Sequence, residues 1–285
     1  MAKVGVIGGS GLYEMEGLQN VDQVSLLTPF GEPSGNFITG ELEGIEVVFL
    51  PRHGKGHKIS PSEINYRANI FAMKKLRVDA IISVSACGSL KEHLKPMDFV
   101  VPNQFIDRTH KRQSTFFTEG IVVHVAFADP VSPEVARILV DSAKELGLIA
   151  HDGGTYITME GPQFSTKAES NLYRSWGIDI IGMKNVTEAK LAREAEISYA
   201  TLAAVTDFDC WHPEHDSVTV EMILNNLNKN VGNAKKILKS VIPKVGRLES
   251  FSAQGALKYA IVTPKHLIPE NKKTELEIII GKYMV

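Results

Sequence analysis

Residues 199–211, YATLAAVTDFDCW, form the stretch that decides the predicted fold. The first seven residues of this stretch are nearly all apolar, as in a strand that is buried on both faces of a parallel sheet. The apolar run then ends on two carboxylates, Asp207 and Asp209. Because ligands of open α/β sheets bind at the carboxyl ends of the strands, we expect a functional site at this strand end.

Asp207 and Asp209 are therefore the candidate catalytic residues. Side chains two residues apart on an extended chain point to the same face, and crowding two carboxylates raises the pKa of one. A carboxyl that stays protonated near neutral pH can act as a general acid. For a single Asp, a helix N-cap or an Asx turn is the favoured interpretation. The pair favours catalysis only in combination with the other segments.

The composition restricts the class of protein. The chain of 285 residues contains no repeat, low-complexity tract or linker, so we expect a single domain, 1–285. A formal net charge of -2 disfavours a nucleic-acid partner. No apolar run reaches the length of a membrane span, and the N-terminus has the pattern of a strand instead of a signal peptide. Cys87 and Cys210 suit neither a disulfide framework nor a metal site, so we expect buried free thiols, no metal and a cytoplasmic location.

A glycine-rich turn follows the first predicted strand, residues 3–7. The sequence Gly8-Gly9-Ser10-Gly11 would let backbone N–H groups approach an anion closely, and Ser10 adds a hydroxyl donor. The third glycine of a dinucleotide-binding motif would fall at Glu14, which disfavours a nicotinamide-binding dehydrogenase. Tight turns use the same residues, so this motif alone is weak support for an anion site.

A basic loop follows the second predicted strand, residues 47–50. Residues 51–58, PRHGKGHK, carry five cationic or potentially cationic side chains. Arg52 offers a fork of donors for an oxyanion, and His53 can donate from neutral pH downward. Alone, this stretch fits a solvated basic loop about as well. Residues 60–63, SPSE, then predict a capping box that starts a helix.

Other strand ends have the same polar character. The predicted strand 79–84 continues into SACGSL, a second turn suited to backbone contacts with an anion, and strand 155–159 continues into EGPQFS. Taken alone, Phe164 in the latter turn favours core packing, and His124 within an apolar run favours a structural role. The alternation of strands and helices predicts an α/β fold with a central mixed, mostly parallel sheet flanked by helices.

Three further stretches have clear patterns. Residues 107–118 are polar and aperiodic, which predicts an exposed loop. Residues 218–241 predict a long amphipathic helix, and residues 256–261 and 275–283 predict short closing helices.

The ordered set of motifs resembles the trimeric purine nucleoside phosphorylase family, and within it the branch that acts on 5′-methylthioadenosine. The set is far more specific than any single motif and runs from Lys3 to about Val241; it comprises residues 8–12, 52–54, 61–62, 65–66, 85–90, 107–109, 160–166, 183 and 206–211. The resemblance implies that inorganic phosphate, as a co-substrate without any cofactor, splits the N-glycosidic bond of 5′-methylthioadenosine. It also implies a homotrimer or a dimer of trimers.

By position, the resemblance assigns the candidate site residues to four tasks. The phosphate-binding residues would be Ser10, Arg52, His53, Ser85 and Ala86. Asp207 would protonate or hydrogen-bond adenine N7, Asp209 would support the amino group, and Phe164 and Ser165 would border the base. Met183 would lie under the ribose. Val218, Val220, Ile223 and Leu224 would line the methylthio pocket, which His124 of a neighbouring subunit would complete.

Lys184 departs from the family pattern, which has a threonine after the methionine. We predict that Lys184 points toward the anion and strengthens phosphate binding. A lysine directed to solvent, with the remaining donors sufficient, is the alternative.

Several other functions remain open at this point. Two acceptors at Asp207 and Asp209 favour a 6-amino purine over a 6-oxo purine. An apolar pocket rejects an added hydroxyl poorly, so a broader purine nucleoside phosphorylase that accepts adenosine or inosine stays possible. A nucleoside hydrolase that uses water is disfavoured by Arg52 and His53. A non-catalytic nucleoside-binding protein would tolerate Asp207→Asn with little consequence.

Overall fold

The computed structural model describes residues 1–9, 11–212 and 220–284, without the side chains of residues 220–225 and 227. The phosphate-site candidate Ser10 and the pocket candidate Val218 lie outside the described residues. For Val220, Ile223 and Leu224 only the helical backbone is described.

A large mixed sheet forms the centre of the described chain and confirms the predicted α/β class. Its eleven strands are β1 Val4–Gly8, β2 Gln19–Val24, β3 Phe37–Leu42, β4 Ile45–Pro51, β5 Ala80–Ser89, β6 Phe99–Val101, β7 Gln104–Arg108, β8 Ala150–Asp152, β9 Thr155–Met159, β10 Ile180–Gly182 and β11 Ser198–Asp207. The order is β2-β3-β4-β1-β5-β10-β9-β7, and β11 branches from β5 and continues through β6 to β8.

Helices flank this sheet. The α-helices of the described residues are α1 Tyr66–Lys75, α2 Pro133–Glu145, α3 Lys167–Ser175, α4 Val186–Glu194, α5 Val220–Gly246, α6 Glu270–Glu275 and α7 Glu277–Met284. All ten residues of β11 are buried, as the apolar stretch 199–205 predicts. None of the described helices is long and apolar enough to cross a membrane.

Four neighbouring parallel strands position the site. Strand β1 pairs in parallel with β4 on one side and with β5 on the other, and β5 pairs in parallel with β11. The carboxyl ends of these strands, including Gly8, Pro51 and Asp207, therefore lie at one edge of the sheet.

The first helix begins later than the capping box predicts. Ser60 N donates to Glu63 Oε2 at 3.1 Å, so part of the box forms, but the segment remains a turn. The helix starts at Tyr66, and its N-cap is Asn65, whose Oδ1 accepts from Ala68 N at 3.1 Å. Asn65 also donates to Phe30 O at 2.7 Å, so a tertiary contact fixes the helix start.

Other predicted elements differ in part. Residues 256–261 form turns instead of a helix, because Ala260 O accepts from His124 N at 2.9 Å and Ile261 pairs with Val123 in a β-bridge. The predicted helix 275–283 corresponds to α7, which a separate short helix, α6, precedes, and the predicted helix 218–241 corresponds to α5. The predicted loop 107–118 is not simply exposed, since Arg112 and Phe116 are buried within it.

Candidate active site

Arg52 connects the two anion-site candidates at the sheet edge. Its backbone N–H donates to Gly8 O at 2.9 Å. Its guanidinium donates from Nη2 to Ile7 O at 3.3 Å and from Nη1 to Val84 O at 3.1 Å. The residues after β4, which we call the anion loop (residues 52–58), are thereby held against the carboxyl ends of β1 and β5.

Glu188 of α4 is the partner of Arg52, and the sequence analysis missed it. Arg52 Nε pairs with Glu188 Oε1, while Ser83 Oγ and Tyr199 OH donate to Oε2 at 2.8 and 2.9 Å. Burial alone would lower the pKa of Arg52, but the ion pair with Glu188 outweighs it and raises the pKa. Arg52 is thus a fixed buried cation instead of a free fork. The two residues are 136 positions apart, so no local pattern could indicate their pairing.

His53 is a neutral ring, so it is not the cationic donor that a histidine at this position could have been below neutral pH. Its Nδ1 lies 2.8 Å from Ile59 O, and since a carbonyl only accepts, Nδ1 carries the proton. Burial and the positive charges of Lys184 and Arg52 lower the pKa of His53 to about 3. The ring of His57 stacks on it with a centroid distance of 4.1 Å.

Ser85 and Ala86 lie on β5 directly after Val84, whose carbonyl accepts from Arg52. Ser85 Oγ donates to Asn185 Oδ1 at 2.9 Å, while Ala86 is half-buried and faces Ala204 of β11. Asn185 donates in turn to Ser83 Oγ at 3.0 Å. The backbone φ of Asn185 is 42°, which is unfavourable for a residue other than glycine. The hydrogen bonds of the Asn185 side chain stabilise this conformation directly after Lys184.

Lys184 is half-buried on the side of the anion-site candidates. Burial and then the charge of Arg52 lower the pKa of Lys184 to about 8. Lys184 in turn lowers the pKa of both His53 and His57, so its charge lies within electrostatic range of the anion loop. This placement favours the inward orientation over the solvent-directed one.

Asp207 is the last residue of β11, and Asp209 follows in a turn with a φ of 50°. The prediction that both carboxylates lie on one extended segment is therefore wrong. Asp207 Oδ1 accepts from Asp209 N at 2.8 Å, and Oδ2 accepts from Thr206 Oγ1 at 2.7 Å. Burial is the main cause that raises the pKa of Asp207, and the negative charge of Asp209 contributes less.

Asp209 is also buried and has a raised pKa. Burial is again the main cause of the raised pKa, and the nearby polar groups of Ser170, Cys210 and Ser165 oppose it. The site therefore contains two carboxyls that are both displaced toward the protonated form.

Small and amide side chains fix the end of β11. A Cβ at Gly88 of β5 would lie 2.9 Å from Asp207 Oδ1, so only glycine leaves room for this carboxyl. Asn226 and Asn230 of α5 donate to Thr206 O at 2.8 Å and to Val205 O at 3.1 Å. These hydrogen bonds attach α5 to β11, the strand that ends with Asp207. The first turns of α5 contain the pocket candidates Val220, Ile223 and Leu224.

The turn after β9, which we call the base turn (residues 160–165), lies beside the second carboxyl. Phe164 is 48% exposed, so the core-packing interpretation is wrong. Ser165 O accepts from Cys210 Sγ at 3.4 Å. A Cβ at Gly161 would lie 2.5 Å from Met183 Sδ, so the base turn also packs closely on Met183.

His124 lies on the surface, and this rules out a structural role in the core. In the extended segment 121–127, Ile121, Val123 and Val125 pack on the hydrophobic core, while His124 faces outward. The thiols are both free, with Cys87 buried and Cys210 only half-buried. Within the described part of the chain, no cluster of three His, Cys, Asp or Glu side chains is arranged to hold a metal ion.

The assembled site combines two kinds of group at one edge of the sheet. Arg52 and Lys184 provide positive charge beside the ends of β1, β4 and β5, and Asp207 provides a carboxyl with a raised pKa at the end of β11. Such an arrangement suits an anionic nucleophile and a leaving group that needs a proton.

Comparison with known proteins agrees with this chemistry. A model of the phosphorylase superfamily matches residues 3–243. S-methyl-5′-thioadenosine phosphorylase of Thermosynechococcus vestitus is 57% identical over 99% of this chain and 99% of its own length. The enzyme of the same name from Geobacter sulfurreducens is 54% identical over 99% of each chain.

Solved structures share the fold as well. A methylthioadenosine phosphorylase from an antarctic soil metagenomic library superposes with a TM-score of 0.93 at 50% identity, covering 98% of each chain. A mutant adenosine/methylthioadenosine phosphorylase from Schistosoma mansoni, in complex with methylthioadenosine, has a TM-score of 0.80 at 40% identity over 87% of this chain and 93% of that one.

Proposed function

This chain belongs to the phosphorylase superfamily, and from that premise we propose that it is a pentosyltransferase that phosphorolyses 5′-methylthioadenosine. The products are adenine and 5-methylthioribose 1-phosphate, which places the enzyme in purine and methionine salvage. The observation that carries the proposal is the buried Asp207, with its raised pKa, at the same sheet edge as Arg52 and Lys184. The high identity to proteins named for this activity supports the choice of substrate.

Inorganic phosphate is the nucleophile in this reaction. We assign its binding to Ser10, Arg52, His53, Ser85, Ala86 and Lys184. Glu188 fixes Arg52 before the anion arrives, so little reorganisation accompanies binding. Since the Nδ1 proton of His53 is engaged by Ile59 O, the neutral His53 presents an acceptor at Nε2, which suits the hydroxyl of a protonated phosphate.

The purine leaves with the electron pair of the glycosidic bond. A protonated Asp207 donates its proton to N7 and relieves the developing negative charge, while the ribose above Met183 becomes oxocarbenium-like. Adenine gains one proton and phosphate loses one in each turnover, so Asp207 is reprotonated before the next cycle. Asp209 accepts from the 6-amino group, and Phe164 and Ser165 border the base.

The proposed subunit arrangement is a homotrimer in which His124 reaches the neighbouring site. Val122, Tyr259 and Val262 are 47%, 89% and 59% exposed beside His124, and Val262 N donates to Val122 O at 2.9 Å. An exposed apolar patch of this kind suits a subunit interface. We assign the methylthio pocket to Val218, Val220, Ile223 and Leu224, completed by this histidine.

We also propose that the enzyme needs no cofactor or metal and works in the cytoplasm. The acid, the cations and the phosphate co-substrate together supply all the chemistry of the transfer. The free thiols Cys87 and Cys210 fit a reducing compartment.

Adenine release from 5′-methylthioadenosine, followed with and without phosphate, tests the proposed function. We expect release only with phosphate, together with 5-methylthioribose 1-phosphate. Release without phosphate would identify a nucleoside hydrolase instead. The same assay with adenosine and inosine measures the substrate breadth, because faster turnover of either would identify a broader purine nucleoside phosphorylase.

A further inference from the structure

Glu160, at the start of the base turn, joins segments that are far apart in the sequence. Its Oε2 accepts from the backbone N–H groups of His110 at 2.6 Å and Lys111 at 3.1 Å. Its Oε1 accepts from Ser62 Oγ and from Arg112 Nε, the latter at 3.2 Å. One carboxylate therefore connects the base turn to the chain after β7 and to the chain after the anion loop.

Arg112 closes this network. Its side chain is 1% exposed and donates from Nη2 to Glu160 O at 2.9 Å and from Nη1 to Tyr66 OH at 3.2 Å. Tyr66 OH donates in turn to Pro61 O at 2.9 Å. Burial alone would raise the pKa of Glu160, but the hydrogen bonds of the network lower it to about 2, so the carboxylate stays ionised at any assay pH.

The network is continuous with the anion loop on one side. Lys58 N and Ile59 N donate to His53 O at 3.0 and 3.2 Å, and His53 Nδ1 donates to Ile59 O. These bonds close the loop on itself a few residues before Ser62. Ser62 follows Ile59 by three residues, so a short segment of backbone connects the network to the closed anion loop.

On the other side the network is continuous with the nucleoside half of the site. Gly161, directly after Glu160, has a φ of 73° and packs closely on Met183 Sδ. Lys184 follows Met183, and the charge of Arg112 contributes to lowering the pKa of Lys184. The network thus touches the elements to which we assign the ribose, the base and the anion.

We propose that Glu160 and Arg112 are positioning residues that couple phosphate binding to nucleoside binding. Neither residue needs to contact a substrate. Each substrate orders its own side of the network, and the other side then binds its ligand at a smaller cost in ordering. This inference rests on the proposed function, because it takes a nucleoside and phosphate as the two ligands.

The coupling can be measured at equilibrium without turnover. The nucleoside probe is 5′-methylthiotubercidin, which has carbon in place of N7 and cannot be protonated there. Calorimetry gives the Kd of inorganic phosphate with and without this probe. For the unaltered enzyme we expect phosphate to bind about fivefold or more tightly when the probe is present, a factor typical of coupled sites.

Glu160→Gln and Arg112→Lys should reduce this coupling factor toward one. Ser62→Ala removes one hydrogen bond of the network and should reduce the factor partially, which keeps the test usable if Glu160→Gln does not fold. The matched control is Glu63→Gln, because Glu63 is exposed in the adjacent turn and, among the residues that the structure describes, its carboxylate interacts with the local Ser60 alone. This control should retain the full factor.

Two results would overturn the inference. One is a coupling factor of one in the unaltered enzyme. The other is a Glu160→Gln enzyme in which phosphate and the probe each bind more weakly while the factor is unchanged, since that is the behaviour of a merely structural residue. Failure of the proposed function is distinguishable, because it would appear as absent adenine release in an enzyme that still binds both ligands.

Discussion

Burial raises the pKa of Asp207 more than the neighbouring carboxylate of Asp209 does, although the sequence pattern alone suggests the neighbour as the cause. A carboxyl at the end of a wholly buried strand is costly to ionise, and Asp209 adds only a smaller repulsion. The raised pKa of Asp207 therefore results from its position at the buried strand end, and its carboxyl fits there because Gly88 has no side chain.

Asp207→Asn should lower turnover by about 10²–10⁴-fold, the usual contribution of a general acid, and change adenine affinity far less. Because the pKa of Asp207 is raised, its acidic form is lost as pH rises through that pKa. In the unaltered enzyme, kcat should therefore decline as pH rises through the pKa of Asp207. In the Asp207→Asn variant, the residual kcat should not show this decline. Steady-state kinetics and adenine titration measure both effects. Asp141→Asn, at an exposed position of α2, is the control, and an active Asp207→Asn enzyme would refute the assignment.

Lys184→Thr should weaken phosphate binding and change its pH dependence. The pKa of Lys184 is lowered to about 8, so its charge is present below that pH and is lost as pH rises through it. In the unaltered enzyme, kcat/KM for phosphate should decline above about pH 8, and this decline should be smaller in the variant. A Lys184→Thr enzyme that binds phosphate as well or better would show that the lysine does not hold the anion.

Among these residues, some roles follow from sequence and others do not. The polar ends of apolar strands indicate Asp207 and Arg52, because a strand end is a local pattern. The ion pair with Glu188 and the neutral state of His53 depend on contacts between distant segments and on burial. Such contacts leave no periodicity or spacing in the chain.

At the scale of elements, α4 is attached to the sheet through the buried ion pair of Glu188 with Arg52, which directly follows β4. Glu188→Gln leaves a buried cation without its counter-charge, so we expect a loss of about 3–5 kcal/mol in the free energy of unfolding. Urea denaturation measures this loss. The control is Glu270→Gln, which breaks an exposed i,i+3 pair with Lys273 and should cost less than about 1 kcal/mol. Equal, small losses in the two variants would show that the buried pair does not stabilise the fold.

The elements that were predicted correctly are those with strong local signals. The amphipathic pattern of residues 218–241 is sufficient to predict α5, and the apolar run 199–205 is sufficient to predict the buried strand β11. The sequence does not indicate strand β2, because most of it is exposed and it lacks apolar alternation. Asn65 caps α1 in place of Ser60 because a tertiary contact to Phe30 decides between two local signals.

For the whole molecule, the parallel order β4-β1-β5-β11 is what unites the site. The sequence indicates that these strands exist and that each ends in polar residues, but the pairing of strands that are far apart in the chain appears only in the fold. In the proposed trimer, the site also includes a residue of another subunit, because His124 of one subunit lies at the strand ends of the next.

Mixing an inactive variant with an impaired one tests the proposed trimer directly. Asp207→Asn inactivates the site of its own subunit, whereas His124→Ala should impair the site of a neighbour. After the mixed subunits are dissociated and reassembled, about one site in four of a ring closed by symmetry would combine an intact Asp207 with a neighbour's intact His124. Activity should therefore rise above the mean of the two parents. Asp207→Asn mixed with Asp209→Asn is the control, because both residues belong to one subunit's site and no intact site forms. If the first mixture stays at the mean of its parents, His124 acts within its own subunit or not at all.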